Sequence, residues 1–89
     1  MTDFERKAYC KSVRFAAWGI DTLVRALRDS PAAVNRDAVL EEVQRIAEIA
    51  KESSTLLLAD AWSDDPSHAP NMEMFEKVML KQFKERLLL

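Results

Sequence analysis

The chain is poor in the residues that make turns and crosslinks. Its 89 residues include one glycine, three prolines and one cysteine. An all-β chain places turn residues about every 8–12 positions, so this scarcity excludes a sandwich or barrel. The lone Cys10 excludes an internal disulfide; within a helical pattern its default role is a small buried hydrophobe. No segment approaches the roughly 18 uninterrupted apolar residues of a membrane helix. Leu56-Leu57-Leu58 and Leu87-Leu88-Leu89 are short runs inside amphipathic patterns, and the first residues, Met-Thr-Asp-Phe-Glu-Arg, hold no apolar run of signal-peptide length. The expected compartment is a reducing cytoplasm.

Chemistry-bearing groups are equally sparse. There is no glycine-rich phosphate loop. The only cysteine–histidine combination is Cys10 with His68, one in a helical segment and the other in a distant loop. Nucleophilic catalysis needs a base beside the nucleophile and a third group to orient it, so no enzyme and no cofactor is expected. The net charge of −2 argues against general nucleic-acid binding.

What the chain does have is apolar content, 48% of its residues, enough to exclude disorder. Its patterning is helical throughout, and 1–89 reads as a single domain. Helix 1 is expected over 3–29. Thr2 and Glu5 form a capping-box pair, and Ser30-Pro31 closes the helix, because a residue preceding proline avoids the α region. Helix 2 is expected over 36–62. Asn35 caps it, and Val34 and Val39 stand at the positions of a hydrophobic staple. A polar loop, 63–70, precedes helix 3 over 72–88.

Helix 1 carries two adjacent seams at 3/4 spacing. The first is Tyr9, Val13, Ala16, Ile20, Leu23 and Leu27. The second is Ala8, Ser12, Phe15, Gly19, Thr22 and Ala26, mostly small residues. Two contiguous seams mark a helix packed between helices. On helix 2 the apolar line is Val39, Val43, Ile46, Ala50, Ser53 and Leu57, widened by Leu40, Ile49 and Leu56, while Glu41, Arg45, Glu48, Lys51 and Glu52 hold the wet face. The weak helix stretch Ser53-Ser54-Thr55 signals a bend or the close approach of a neighbour, and Gly19 points to close approach as well. Helix 3 presents Met72, Phe75, Val78, Met79, Phe83 and Leu87 as a core face, opposite Lys77, Lys81 and Lys84. Met74 lies off this stripe, where methionine suits an exposed contact. The expected fold is therefore all-α: two long antiparallel helices plus a shorter C-terminal helix, in a bundle completed by dimerisation. Val13, Ile20, Leu23, Leu27, Val43, Ile46 and Leu57 are the expected core of that homodimer.

Charge is distributed unevenly. Residues 3–29 carry six basic and four acidic side chains, residues 36–59 three and five, and residues 60–70 none and three. Asp60, Asp64, Asp65 and His68 are the only group resembling a metal site. Their spacing matches no known cage and lacks the glycine and distal glutamate of a calcium loop, so a solvated acidic loop without metal is expected. Lys7, Lys11, Arg14, Trp18 and Arg25 share one edge of helix 1, with Phe15 beside it. Arginine and tryptophan together are typical of interface hot spots. The plainer reading of that edge is a solvated face with Trp18 half-buried. The expected function is that of a small non-enzymatic regulator that binds another protein and masks its surface, as an anti-activator or inhibitor does. The alternatives are a secretion-type chaperone or adaptor and, third, a helical regulator that binds nucleic acid.

Overall fold

The computed structural model describes residues 1–87; Leu88, the expected last residue of helix 3, lies with Leu89 outside the described residues. Three helices account for most of them: α1 (Asp3–Asp29), α2 (Arg36–Ala61) and α3 (Met72–Leu87), with one 3₁₀ turn at Pro66–His68 between α2 and α3. There is no strand among the described residues.

Each helix starts where a side chain satisfies the free amides of its first turn. Thr2 Oγ1 accepts from the Glu5 amide at 3.1 Å, and the Glu5 carboxylate accepts from the Thr2 amide at 3.3 Å, a complete capping box. Asn35 Oδ1 accepts from the Ala38 amide at 3.0 Å, and Asn71 Oδ1 from the Met74 amide at 3.1 Å. The α1–α2 connection is short: the Ser30 amide bonds the Ala26 carbonyl, and the Ala33 amide bonds that of Ser30. So tight a connection returns α2 antiparallel along α1.

The two long helices pack along their length, whereas α3 makes almost no contact with either. The first seam of α1 is consumed within the chain. Tyr9, Val13, Ile20, Leu23 and Leu27 are half-buried, as are Val39, Val43, Ile46, Ala50 and Leu57 of α2. Among the described residues only Ala16 and Ser53 are buried. Ser53 Oγ donates to Ser12 Oγ at 3.0 Å across the contact, so the serine-rich stretch of α2 marks a close neighbour. Ser54 and Thr55 instead bond the Lys51 carbonyl of their own helix.

Several expectations are corrected. The second seam of α1 is divided: Ser12, Gly19 and Ala26 are half-buried, while Ala8, Phe15 and Thr22 are exposed. Cys10 is exposed, because α2 covers only one side of α1. The face of α3 expected to be core is open: Met72, Phe75, Val78, Phe83 and Leu87 are all exposed, and Met79 alone is half-covered. The cause is geometrical. Side chains between two cylinders are enclosed on the line joining the axes and open above and below it, so a pair of helices encloses only small side chains. The resulting shape is extended. The radius of gyration is 16.1 Å, against about 12 Å for a compact domain of this length. The molecule measures 49 × 33 × 16 Å. Its smallest dimension is that of two helices side by side, and α3 stands out from them as an arm.

Two outcomes follow from this packing. A Cβ at Gly19 would lie 3.4 Å from Ile46 Cδ1, the far end of a flexible side chain. The helices approach closely here yet leave room for a methyl group. Gly19→Ala should therefore stabilise the protein in urea denaturation by up to about 1 kcal/mol, the difference in helix propensity. Destabilisation would show that another element needs this space.

The Glu5 carboxyl is held below the ordinary glutamate value by its hydrogen bonds with the Thr2 hydroxyl and then the Thr2 backbone. A depressed carboxylate contributes stability above its unfolded value and loses it as pH falls through the folded one. In an NMR titration Glu5 should have a midpoint below that of an unstructured glutamate, and Thr2→Ala, which removes the hydroxyl and keeps the backbone amide, should bring it part of the way back. An ordinary midpoint in the unsubstituted protein would contradict the capping box.

Candidate partner-binding surface

The side of α1 not covered by α2 carries the cations and aromatic rings singled out from the sequence. Lys7, Lys11, Arg14, Phe15, Trp18 and Arg25 are all exposed, Phe15 by 63% and Trp18 by 59%, so Trp18 is less covered than a plain solvated face would have it. The structure pairs them along the helix. Arg14 lies over the Trp18 ring, 4.9 Å from its centroid, and Lys11 over the Phe15 ring at 5.5 Å. Both pairs are spaced i, i+4, which stacks side chains on one face of a helix. An exposed pair of this kind contributes about 0.5–1 kcal/mol. Its larger effect here is to narrow the orientations of each ring before any partner arrives.

Lys7 and Arg25 behave differently. Lys7 Nζ is 3.1 Å from Asp3, and Arg25 is 2.6 Å from Asp21, each one turn earlier on α1. Their charge is largely answered within the helix. Lys11 and Arg14 carry no carboxylate partner among the described ion pairs, so they are the cations this edge presents outward.

Sequence reasoning missed three parts of the surface. Phe4, 82% exposed, falls on the line of Lys11, Trp18 and Arg25 at seven-residue intervals, and that repeat could have revealed it. Ile49 and Leu56 of α2, also seven apart, are exposed rather than covered. The third is the open face of α3. Its periodicity is plain in the sequence, but nothing there tells that α3 fails to dock on its own hairpin.

The surface is convex. Several depressions among the described residues are each lined by one helix: Lys77, Leu80, Lys81, Lys84 and Glu85 of α3 in one case, Lys51, Glu52, Thr55 and Leu56 of α2 in another, and Ala17, Trp18 and Asp21 of α1 in a third. A dip on one cylinder cannot surround a small molecule, whose sites are clefts that cover most of the ligand. The acidic loop is not assembled as a cation site either. Asp60 accepts from Arg6 Nη2 at 3.1 Å and Nε at 3.3 Å, and lies 3.6 Å from the Met1 amino group. His68 Nδ1 is 2.8 Å from Asp65, which also accepts from Ser67 Oγ. No three His, Cys, Asp or Glu residues among those described gather in a metal-holding group. The hydrogen-bond partners of His68 are Asp65 and Ser67, not Cys10.

Comparison with known proteins yields no relative: no family model, no curated protein and no solved structure matches the chain. No helix among the described residues is long and apolar enough to cross a membrane.

Proposed function

We propose that this protein is a small non-enzymatic regulator that binds another protein through the outer edge of α1 and masks its surface, in the manner of an anti-activator or inhibitor. The observation that carries this reading is the pre-stacked pair of Arg14 and Trp18, exposed on a helix whose depression at Trp18 is lined by Ala17 and Asp21 of the same helix. Arginine and tryptophan are the residues most enriched among interface hot spots. A ring already held under its guanidinium loses little freedom on docking. Lys11 and Phe15 repeat the arrangement one face-position away, which extends the patch along the helix axis. Unanswered positive charge at Lys11 and Arg14 favours an acidic partner surface. In this reading the protein works in the cytoplasm as a homodimer. The dimer is supported by the surface left open: 7607 Å² is accessible, about 2,300 Å² more than the roughly 5,300 Å² of a compact protein of 10.2 kDa.

The test uses a photo-crosslinking residue in place of Ala17, exposed beside Trp18, with the same residue at Glu48 on the exposed side of α2 as control. One host protein should be captured from position 17 and not from position 48. With that protein purified, Arg14→Ala and Trp18→Ala should each weaken binding by about 2 kcal/mol or more, some thirtyfold. Circular dichroism should be unchanged for Arg14→Ala. Lys7→Ala should matter mainly at low salt, because a rim charge already paired with Asp3 is readily screened. Unchanged binding by Arg14→Ala would overturn the proposal. An equal loss for every cation on this edge, with a steep salt slope, would point to nucleic acid instead.

A further inference from the structure

The third helix raises a separate question. An amphipathic helix of 16 residues with an open apolar face is unstable on its own in water. Phe75, Met79 and Phe83 follow one another at four-residue steps on α3, flanked by Val78, and all but Met79 are exposed. The α1–α2 hairpin has its own uncovered line, Ile49 and Leu56, on α2. Yet among the described residues α3 makes almost no contact with the hairpin of its own chain.

Residues 62–71 are not a slack tether. The amide of Ser63 bonds the Asp60 carbonyl, that of Asp65 the Trp62 carbonyl, that of His68 the Asp65 carbonyl, and that of Ala69 the Pro66 carbonyl. Pro66 opens the 3₁₀ turn and Pro70 precedes the cap of α3, and each fixes its own φ. Asp65 is further tied to Ser67 and His68. The spacer is thus locally ordered between α2 and α3, and exchange of an element across such a connection is a low-cost route to a dimer.

We infer that α3 is an exchanged arm: in a homodimer, the α3 of each copy lies across the α1–α2 hairpin of the other, with Phe75, Met79 and Phe83 over Ile49 and Leu56. This rests on the dimer reading above and goes beyond it by naming the segment that crosses. Area favours a second copy as the occupant. The excess surface of about 2,300 Å² per chain gives about 4,600 Å² for a pair, inside the range of roughly 2,000–5,000 Å² buried by obligate dimers. Charge agrees. The α2 segment carries six acidic and three basic residues, and α3 carries four basic and three acidic. Reciprocal exchange also closes the symmetry, because each copy supplies one arm and receives one.

The experiment uses the full chain with Phe83→p-benzoylphenylalanine, irradiated after protein labelled with light and heavy nitrogen has been unfolded together and refolded as an equal mixture. A covalent species of about twice 10.2 kDa is expected, with cross-linked peptides that join α3 of one isotope to α2 of the other. Light scattering on the unsubstituted protein should give the dimer mass. The double variant Phe75→Glu/Phe83→Glu should give the monomer mass, and Lys81→Glu, off the apolar stripe, should remain dimeric. The cross-link map does not depend on the double variant folding. A monomer mass for the unsubstituted protein at every concentration would overturn both the dimer and the exchange. A dimer mass with cross-links only between α3 and the α2 of its own isotope, or only between the two α3 helices, would overturn the exchange and leave the dimer standing.

Discussion

The close contact of small residues between α1 and α2 governs the rest of the molecule. Ala16 and Ser53 are buried at its centre, Ser12 accepts the Ser53 hydroxyl, and Gly19 faces Ile46. Small side chains let the two backbones approach, and dispersion between them rewards the approach. The same closeness leaves no volume for large side chains between the axes. Ile20, Leu23, Leu27, Val43, Ile46 and Leu57 therefore sit half-covered at the rims of the contact. Phe4, Phe15, Trp18, Ile49 and Leu56 lie outside it altogether. A hairpin built this way is defined in register and hand, but its apolar surface faces outward.

That outward surface has two regions of different chemistry. On α1 the rings are interleaved with cations, and each of the two cation–ring pairs is set by i, i+4 spacing on one helix. On α3 the apolar stripe is unbroken by charge, and its lysines stand to one side. Unmixed apolar faces resemble the cores of permanent assemblies, whereas aromatic and arginine-rich patches resemble the surfaces of separable ones. On the proposed reading, the division separates the residues of a stable association from those of a regulated one.

The local features were legible in the sequence because their causes are local. Thr2 with Glu5, Asn35 and Ser30-Pro31 act on residues three or four positions away, and the helices begin and end within one residue of the positions those signals imply. The first seam of α1 was legible from its period. The edge residues Arg14 and Trp18 were legible as sharing one face, but not as a stacked pair. What periodicity could not give was the identity of the cover. A stripe such as Phe75–Met79–Phe83 shows that a face is apolar and is silent on whether its own hairpin meets it; that depends on the geometry of residues 62–71. Cys10 was misjudged for a related reason. Free cysteine is among the most buried residue types, but α2 covers only one side of α1, and Cys10 lies on another. Gly19 did mark a close approach, though one that still accommodates a methyl group.

The central claim is that the small-residue hairpin does not complete a core by itself, so that folding is coupled to association. The concentration dependence of the thermal midpoint tests this most directly. A protein whose folded state is a dimer has a midpoint that rises with protein concentration, because mass action favours the associated form. The account predicts a steady rise over a hundredfold range of concentration, with far-UV circular dichroism and sedimentation reporting the same transition. A midpoint independent of concentration, reached by a species of 10.2 kDa that unfolds cooperatively, would contradict it.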